Sequence, residues 1–173
     1  MVEVASRIAA EFMNESHLYG HTVHRYALGL SYEGKIVCVV TLRVPRQSTH
    51  RAQSLVEIAR FASARDTIVT GGFQRLLPRA IEWAKRCGFK GMISYADLDT
   101  GHGNVYLLAG FDAIGETGPS YWYTNGVDRF DRFKYRARAG KTEREIAKEG
   151  RVYRIYGAGS RIYRMMFNRE DHR

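Results

Sequence analysis

The chain has 173 residues, is 45% hydrophobic and carries a formal charge of +9, which predicts a folded domain rather than a disordered polymer. Its apolar runs are shorter than the roughly 18 residues of a membrane span, and its acidic first residues lack the apolar segment of a secretory signal. Cys38 and Cys87 lie in apolar segments, so we expect buried free thiols in a reducing compartment and no structural zinc site.

Most of the positive charge lies near the carboxyl terminus. Residues 128–173 contain 14 Lys and Arg against 7 Asp and Glu, a net charge of +7 that leaves +2 for residues 1–127. Basic and aromatic residues alternate there, in the order DRFDRFKYRARAG. This pattern is typical of a surface that faces a polyanion, and we favour nucleic acid over simple solubility charge. We predict a domain, 1–127, and a basic arm, 128–173, that packs on it and contacts nucleic acid.

The first part of the chain predicts one helix and then strands. Val4, Ile8 and Phe12 recur every four residues, the spacing of an apolar stripe on a helix. Nearly continuous β-branched and apolar segments follow and predict buried strands. The predicted elements are a helix over residues 3–14 and strands over 26–32, 35–44 and 55–62.

A polar segment, ESHLYGHTVHRY, separates that helix from the first of these strands. It contains His17, His21 and His24, whose spacings of four and three would share one face if the segment were helical. Gly20 and Thr22 disfavour a helix there. A single histidine is usually structural, whereas a cluster favours a site.

A glycine turn precedes the second predicted helix. Thr70, Gly71 and Gly72 follow a short apolar run and lead into a helix over about residues 73–86. Backbone N–H groups at such a helix start form a natural anion site, although many helices begin in this way.

The stretch from Gly88 to Phe111 carries the main site prediction. An apolar strand over residues 92–96 ends at Asp97, and a short helix with Tyr106 follows a Gly-rich turn. Strand ends are where open sheets place their chemistry, so Asp97 and Tyr106 form a candidate base and acid. The alternative is a surface loop, because Asp and Gly are also turn residues.

Beyond Phe111 the pattern returns to short elements. Thr142 and Glu145 have the spacing of a capping box at the start of a charged helix. The predicted elements are a hairpin of residues 112–116 and 120–124, a helix over 141–149, and two short strands on either side of 157–159.

This order of elements resembles the GNAT acyltransferase superfamily over about residues 25–125. The segment YLLAGF, residues 106–111, resembles that family's second conserved segment, in which the tyrosine often protonates the thiolate leaving coenzyme A. The resemblance implies an α+β fold with a mixed, mostly antiparallel sheet flanked by helices, followed here by the basic extension. It also implies acetyl-CoA or a related acyl donor, bound by Phe61, Ala62, Thr70, Gly71 and Gly72.

A narrower resemblance rests on ESHLYG, on YAD followed by Gly-x-x-Tyr, and on the SYWY, Arg-Phe and RIYGAGS segments. These segments resemble phage-encoded Mom-type DNA-modification proteins. The resemblance implies addition of a carbamoylmethyl-type group to adenine N6 in double-stranded DNA, which blocks restriction in the cytoplasm of a bacterial host. It implies a catalytic site of His17, Asp97 and Tyr106, with iron as a further cofactor held by the same residues.

The predicted contacts to nucleic acid lie in and just before the arm. The basic residues would contact phosphates, while Tyr121 and Tyr123 would hold a flipped base by stacking, or else pack as ordinary strand residues. The basic residues are Arg129, Arg132, Lys134, Arg136 and Arg138.

The leading prediction is therefore a transferase that adds a small acyl or carbamoylmethyl-type group to the exocyclic amine of a base in phage DNA. One alternative is an acyl-CoA-dependent N-acyltransferase that acts on a protein or small amine. The other is a non-enzymatic nucleic-acid-binding protein of the same fold. We expect double-stranded DNA as the partner and no membrane; the oligomeric state stays open, with a homodimer as one alternative.

Overall fold

A computed structural model describes residues 1–167 of the chain. Its strands are β1 (Val2–Glu3), β2 (Tyr26–Tyr32), β3 (Lys35–Arg43), β4 (Leu55–Ser63), β5 (Gly91–Asp97), β6 (Asp112–Glu116), β7 (Ser120–Thr124), β8 (Arg129–Phe130), β9 (Tyr153–Gly157) and β10 (Ser160–Met166). Its helices are α1 (Ser6–Ser16), α2 (Ser48–Ala52), α3 (Gly72–Arg86), α4 (Asn104–Leu108) and α5 (Glu143–Glu149), with a 3-10 turn over Arg132–Tyr135.

The main sheet has the strand order β1-β2-β3-β4-β5-β10-β6. Strands β1 to β4 pair in antiparallel fashion, and β4 then pairs with β5 in parallel. Helix α3 connects β4 to β5, as a parallel connection requires. The predicted α+β fold with a mixed, mostly antiparallel sheet and flanking helices is confirmed.

Helix α1 lies where a helix was predicted, but its apolar stripe is shifted by one residue. Ala9 and Met13 are buried in a cluster with Val39 of β3, whereas Ile8 is 44% exposed. The helix begins only at Ser6, so Val4 lies before the helix, where it packs on the same cluster. Small Ala9 therefore brings α1 close to the sheet, a packing choice that spacing alone does not predict.

The predicted hairpin of β6 and β7 is wrong. Strand β6 lies beside β10 in the main sheet, whereas β7 lies between β8 and β9 in a second sheet. After β6, the Thr117 N–H donates to the Ser160 carbonyl at 2.8 Å, so this turn is held by the start of β10. β7 instead pairs with β9 from Ser120–Gly157 to Thr124–Tyr153.

Contacts divide the chain into two units at boundaries that differ from the predicted 127/128 boundary. Within the described residues, the first unit comprises 1–95, 103–114 and 162–167, and the second comprises 96–102 and 115–161. The last part of the predicted arm thus belongs to the first unit. The second unit has its own small core, formed by Tyr123, Tyr135, Ile146 and Ala147.

Helix α5 begins with the predicted capping box. The Thr142 hydroxyl accepts the Glu145 N–H, and the Glu145 carboxylate accepts the Thr142 N–H at 2.7 Å. As for membrane insertion, none of the helices in residues 1–167 combines the length and apolar character that a transmembrane crossing needs.

Candidate functional site

The parallel pair β4 and β5 opens partway along its length. Its register covers Leu55–Gly91, Val56–Met92 and Glu57–Ile93. Both strands continue, β4 to Ser63 and β5 through Tyr95, without further pairing between them in the described chain. The gap leaves one edge of β4 available beyond Glu57.

The Tyr106 hydroxyl lies at the point where the two strands part. Ser94, the first β5 residue beyond the paired segment, is 1% exposed and donates from its hydroxyl to the Ile58 carbonyl at 3.4 Å. The Tyr106 and Ser94 hydroxyls form a hydrogen bond, and burial raises the pKa of Tyr106. The sequence-predicted tyrosine therefore presents a protonated hydroxyl at the opening of the sheet.

The Tyr106 ring is held by aromatic packing. Its centroid lies 5.4 Å from Phe73 at the start of α3, 5.6 Å from Phe111 and 5.1 Å from Tyr163. Phe61 of β4 reaches the same group, with its centroid 5.1 Å from Phe73. Because three rings contact Tyr106 directly, the hydroxyl has little freedom to leave the opening.

A β-bulge in β4 places two charged residues on the same face of the sheet. Leu42 pairs with Ile58 but Thr41 pairs with Arg60, so Ala59 is the extra residue. Arg43 lies opposite Glu57 and Thr41 opposite Arg60. Since Thr41 and Arg43 are two residues apart on β3 and share a face, Glu57 and Arg60 share it too.

Glu57 is a buried carboxylate paired with a partly buried guanidinium. It is 4% exposed, and one of its oxygens accepts a short hydrogen bond from Arg43. The other terminal nitrogen of Arg43 donates to the Thr22 hydroxyl at 3.1 Å. Glu57 was not predicted as a site residue, although an acid inside the otherwise apolar strand LVEIARFA was a usable signal.

The segment between α1 and β2, which carries the histidines, closes over this face. Arg60 donates from Nε to the Gly20 carbonyl at 3.1 Å. His17 Nδ1 accepts the Tyr19 N–H at 3.1 Å, which places the proton of the neutral ring on Nε2. Burial and then the charge of Arg60 lower the pKa of His17 to about 4, so at neutral pH it is an uncharged donor.

Tyr95 and His50 extend the cluster on β5 and α2. Burial and then the Glu57 carboxylate raise the pKa of Tyr95 to about 12. The His50 ring lies 6.3 Å from the Tyr95 ring, centroid to centroid. Neither residue was singled out from the sequence, because α2 was not predicted as a helix and Tyr95 fell inside the predicted strand 92–96.

The predicted glycine turn opens α3. Gly71 is the N-cap with φ +66°, a conformation that favours glycine, and a Cβ built there would meet no other residue within 4 Å. Gly72 is tightly packed, since a Cβ there would lie 3.0 Å from the Cys38 sulfur. Thr70 is exposed beside the turn, whereas Ala62 is 7% exposed and packs toward α1.

The predicted catalytic residues fall in both units. His17 and Tyr106 lie in the first unit, and Arg60 influences the pKa of both. Asp97 lies in the second unit, where its Oδ1 accepts the Asp99 N–H at 2.9 Å. The Asp97 backbone carbonyl accepts the N–H groups of Thr100 and Gly101 in the same turn. The assignment of Asp97 as the base stays a prediction. Within residues 1–167, no group of three or more His, Cys, Asp and Glu side chains could hold a metal ion, so iron has no support here.

The predicted nucleic-acid contacts all lie in the second unit and differ in exposure. The basic residues are exposed, and the Arg136 guanidinium stacks over Phe133 at 3.8 Å. Tyr123 is 2% exposed, so its ring is not available for stacking on a base in this conformation. Tyr121 and Tyr123 donate their hydroxyls to Glu143 at 2.7 and 2.8 Å. For Tyr123, ordinary packing describes what the structure shows.

Solved structures share this fold at low sequence identity. The ribosomal-protein-S18-alanine N-acetyltransferase from Escherichia coli aligns with a TM-score of 0.58 and 11% identity, over 99% of this chain and 95% of that one. A GNAT family acetyltransferase from Elizabethkingia anophelis, solved with acetyl-CoA bound, gives 0.52 and 15% over 94% and 84%. The IAA acetyltransferase from Bacillus cereus ATCC 14579 gives 0.50 and 15% over 94% and 85%.

The chain therefore has the GNAT fold. No protein-family model and no curated protein matches the sequence. These neighbours do not bear on the narrower Mom-type resemblance, which stays a prediction.

Proposed function

We propose that the protein is an acyl-CoA-dependent N-acyltransferase that acts on an amine of a small molecule or protein. The observation that carries the proposal is the opening between β4 and β5, with the Tyr106 hydroxyl at its start. The fold adds support, because the E. anophelis neighbour was solved with acetyl-CoA bound. Fold alone does not fix activity, so the residues must carry the chemistry.

The residues present fit an acyl-CoA donor. The β4 edge beyond Glu57 offers backbone groups that can pair with an extended chain of amides, as in β-strand addition. The Gly71 turn opens the 15-residue helix α3, whose first N–H groups suit a pyrophosphate. Open space around Gly71 leaves room for such a group to approach. The bound donor would supply an activated thioester carbonyl.

The reaction forms a C–N bond, breaks a C–S bond, removes a proton from the amine and leaves a thiolate that must be protonated. Tyr106 is the proton donor in this proposal. Its raised pKa keeps the hydroxyl protonated at neutral pH, and its aromatic packing fixes the direction of donation.

Glu57 is the proton acceptor in this proposal. Its carboxylate is buried on the face that also carries Arg60 and Tyr95, and Arg43 binds one of its oxygens, so an amine entering there would meet the second oxygen. His17 is a weaker choice, because its Nδ1, the basic nitrogen of the neutral ring, already accepts the Tyr19 N–H. Asp97 is the competing carboxylate that the sequence predicted.

The proposal is tested by following coenzyme A thiol release from acetyl-CoA with panels of small amines and peptides, and by identifying products by mass spectrometry. We expect amine-dependent release and a product heavier by one acetyl group. Loss of release in both Glu57→Gln and Tyr106→Phe would assign the chemistry to this site. Absence of acetyl-CoA turnover and of acetyl-CoA binding would contradict the proposal.

A second candidate places the acceptor amine on a base in DNA. It is favoured by the exposed segment Arg129–Arg138, in which cationic groups stack on aromatic rings. Lys134 Nζ lies 4.4 Å from the Phe130 centroid, and Arg136 stacks on Phe133. Such stacked, exposed cations suit phosphates and bases together. The carbamoylmethyl-type transfer to adenine belongs to this candidate.

This candidate is tested by co-expressing the protein with a plasmid and analysing the digested nucleosides by mass spectrometry. A new adduct would support it and give the mass of the group. Replacing Arg132, Lys134 and Arg136 by Gln should weaken DNA binding and reduce its salt slope by about one per lost phosphate contact. Unmodified nucleosides together with acetylation of amines would favour the first candidate.

A further inference from the structure

The polar cluster of the first unit carries more positive than negative charge. We use the name "acceptor cluster" for Thr41, Arg43, His50, Glu57, Arg60 and Tyr95. Arg43 and Glu57 neutralise each other through a close ion pair. Arg60 has no carboxylate within ion-pair distance in the described chain, and its guanidinium donates only to the Gly20 and Ala59 carbonyls.

The charges around Arg60 are mostly positive. Burial, and then the nearby charge of Arg43, lower the pKa of Arg60; the Glu57 carboxylate offsets part of this effect, and Arg46 adds to it. An arginine keeps its charge under such conditions because its intrinsic pKa is very high. A half-buried guanidinium without an anion is costly, so the arrangement is more stable when an anion is present.

Several buried polar atoms of the acceptor cluster and of the histidine segment have no hydrogen-bond partner among the described protein groups. They include Thr41 Oγ1, opposite Arg60 on β3, Arg43 Nε and both ring nitrogens of His50. Thr41 is 1% exposed, so its hydroxyl has no access to bulk water. His21 Nδ1 is also unpaired, and it adjoins Gly20 and Thr22, which bind Arg60 and Arg43. Unsatisfied groups of this kind are rare in folded proteins and need an explanation.

Most of these atoms are, or can be, donors. The Arg43 Nε–H donates only, while Thr41 and each neutral imidazole can donate one hydrogen. Unpaired donors in one cluster with a guanidinium that has no ion-pair partner match an oxyanion with several acceptor lone pairs. A neutral amine or an apolar acceptor would leave both the charge and the donors unsatisfied.

We infer that the acceptor cluster binds a carboxylate or phosphate group carried by the acceptor, so that the substrate is a small amine bearing an acidic group. Arg60 is the anion-binding residue, with the donors of Thr41, Arg43 and His50 around it. The Glu57 oxygen that Arg43 does not bind faces the ammonium end of the same molecule. The cluster thus binds both ends of a zwitterion, because Glu57 and Arg60 carry opposite charges three residues apart on β4.

This inference rests on the proposed function for the identity of the acceptor, but its binding test does not require turnover. The protein is labelled with 15N, and the imidazole signals are followed while matched probes are added. The probes are glycine against glycinamide, and O-phosphoethanolamine against ethanolamine. The first pair reports on a carboxylate and the second on a phosphate.

We expect at least one acidic probe to shift the imidazole signals with a Kd about tenfold or more below that of its neutral partner, as expected for one added charge pair. Arg60→Gln should remove this preference, and Arg60→Lys should retain part of it. Arg25→Gln is the matched control, because Arg25 is exposed and lies directly before β2. This variant should retain the full preference for the acidic probe.

Three results would overturn the inference: equal or tighter binding of the neutral probes, a preference that survives in Arg60→Gln, or no binding of either acidic probe to the wild type. Calorimetry of the same proteins with acetyl-CoA reads the proposed function separately. Acetyl-CoA binding without the acidic preference would refute only the acceptor assignment. Acidic preference without acetyl-CoA binding would refute the acyl-CoA proposal and leave the anion site.

Discussion

The two units use arginine and tyrosine in opposite ways. In the second unit, Tyr121, Tyr123 and Arg154 all direct their polar atoms at the Glu143 carboxylate, within 2.7–3.2 Å. In the first unit, Arg60 has no carboxylate partner in the described chain, and Tyr95 lies beside a carboxylate already bound to Arg43. Satisfied polar groups stabilise a fold, whereas buried groups left without partners are more often reserved for a ligand.

This difference predicts which substitutions affect activity and which affect stability. A network in which every polar group has a partner raises the free energy of unfolding, and its loss need not change the catalytic rate. A cluster with orphan atoms costs stability in the free protein and recovers it when a ligand binds. Matched substitutions of one glutamate in each unit separate the two cases.

The largest effect is expected for Glu57→Gln. Removing the proton acceptor should lower kcat by about 100- to 10,000-fold, the usual range for acid–base catalysis. The measurement is steady-state thiol release from acetyl-CoA with the preferred amine. Glu143→Gln is the matched control and should retain wild-type kcat. If Asp97→Asn abolished turnover while Glu57→Gln did not, the base would be the residue that the sequence predicted.

Tyr106→Phe should have the next largest effect, a loss of up to about 100-fold in kcat. The loss is smaller because a thiolate is already a fair leaving group near neutral pH. The Phe ring keeps the packing on Phe73, Phe111 and Tyr163, so Tm should change little. Because burial raises the pKa of Tyr106, activity of the wild type should show no loss from its ionisation up to about pH 10. An unchanged kcat in the variant would remove Tyr106 from the mechanism.

Glu143→Gln should lower stability rather than activity. Hydrogen bonds to a charged group are stronger than those between neutral groups, and this carboxylate accepts them from two tyrosines and Arg154. Chemical denaturation would measure the loss.

Those same tyrosine hydroxyls lower the pKa of Glu143 below its ordinary value of 4.5. A depressed carboxyl pKa stabilises the fold above pH 4.5, and this contribution is lost as the pH falls through the folded-state value. The wild type should therefore lose more stability than Glu143→Gln below pH 4.5. Parallel pH profiles of the two proteins would contradict the network.

The smallest effect concerns His17. Its pKa is lowered from 6.5 to about 4, so between these values the unfolded chain binds the extra proton and stability rises with pH. Wild type should gain stability from pH 4 to 6.5 through this residue, and His17→Gln should flatten that part of the profile. An NMR titration that placed the His17 pKa near 6.5 would show that the histidine is not desolvated by the fold.

The sequence predicted the elements well where one periodicity dominates. The continuous β-branched run of β3 and the apolar side of α3 have one physical solution each, and both formed as expected. Tyr106 was found because its spacing to Gly110 and Phe111 is a local feature. Strand partners were predicted poorly, because the contacts that hold β6 and β7 come from residues far along the chain. The turn after β6 is bonded to Ser160, and the tyrosines of β7 are bonded to Glu143.

The residues of the candidate site come together through the pairing register of β3 and β4, which the sequence does not reveal. Glu57 and Arg60 share a face only because the bulge at Ala59 shifts the alternation of β4. Without the bulge, residues three apart on a strand would point to opposite faces. The acid inside an apolar strand was visible, but its partner on β3 and the orphan donors around it were not.

The central claim is that the opening beside β4 and the turn at Gly71 bind an acyl-CoA. Calorimetric titration with acetyl-CoA tests it directly in wild type, Gly71→Ala and Gly88→Ala. Both glycines have positive φ and open space around them, at opposite ends of α3, so both substitutions should cost about 1 kcal/mol of stability. We expect 1:1 binding to wild type and Gly88→Ala, with affinity weakened about tenfold or more in Gly71→Ala alone. Wild-type protein that binds no acetyl-CoA, or equal affinity in all three proteins, would contradict it.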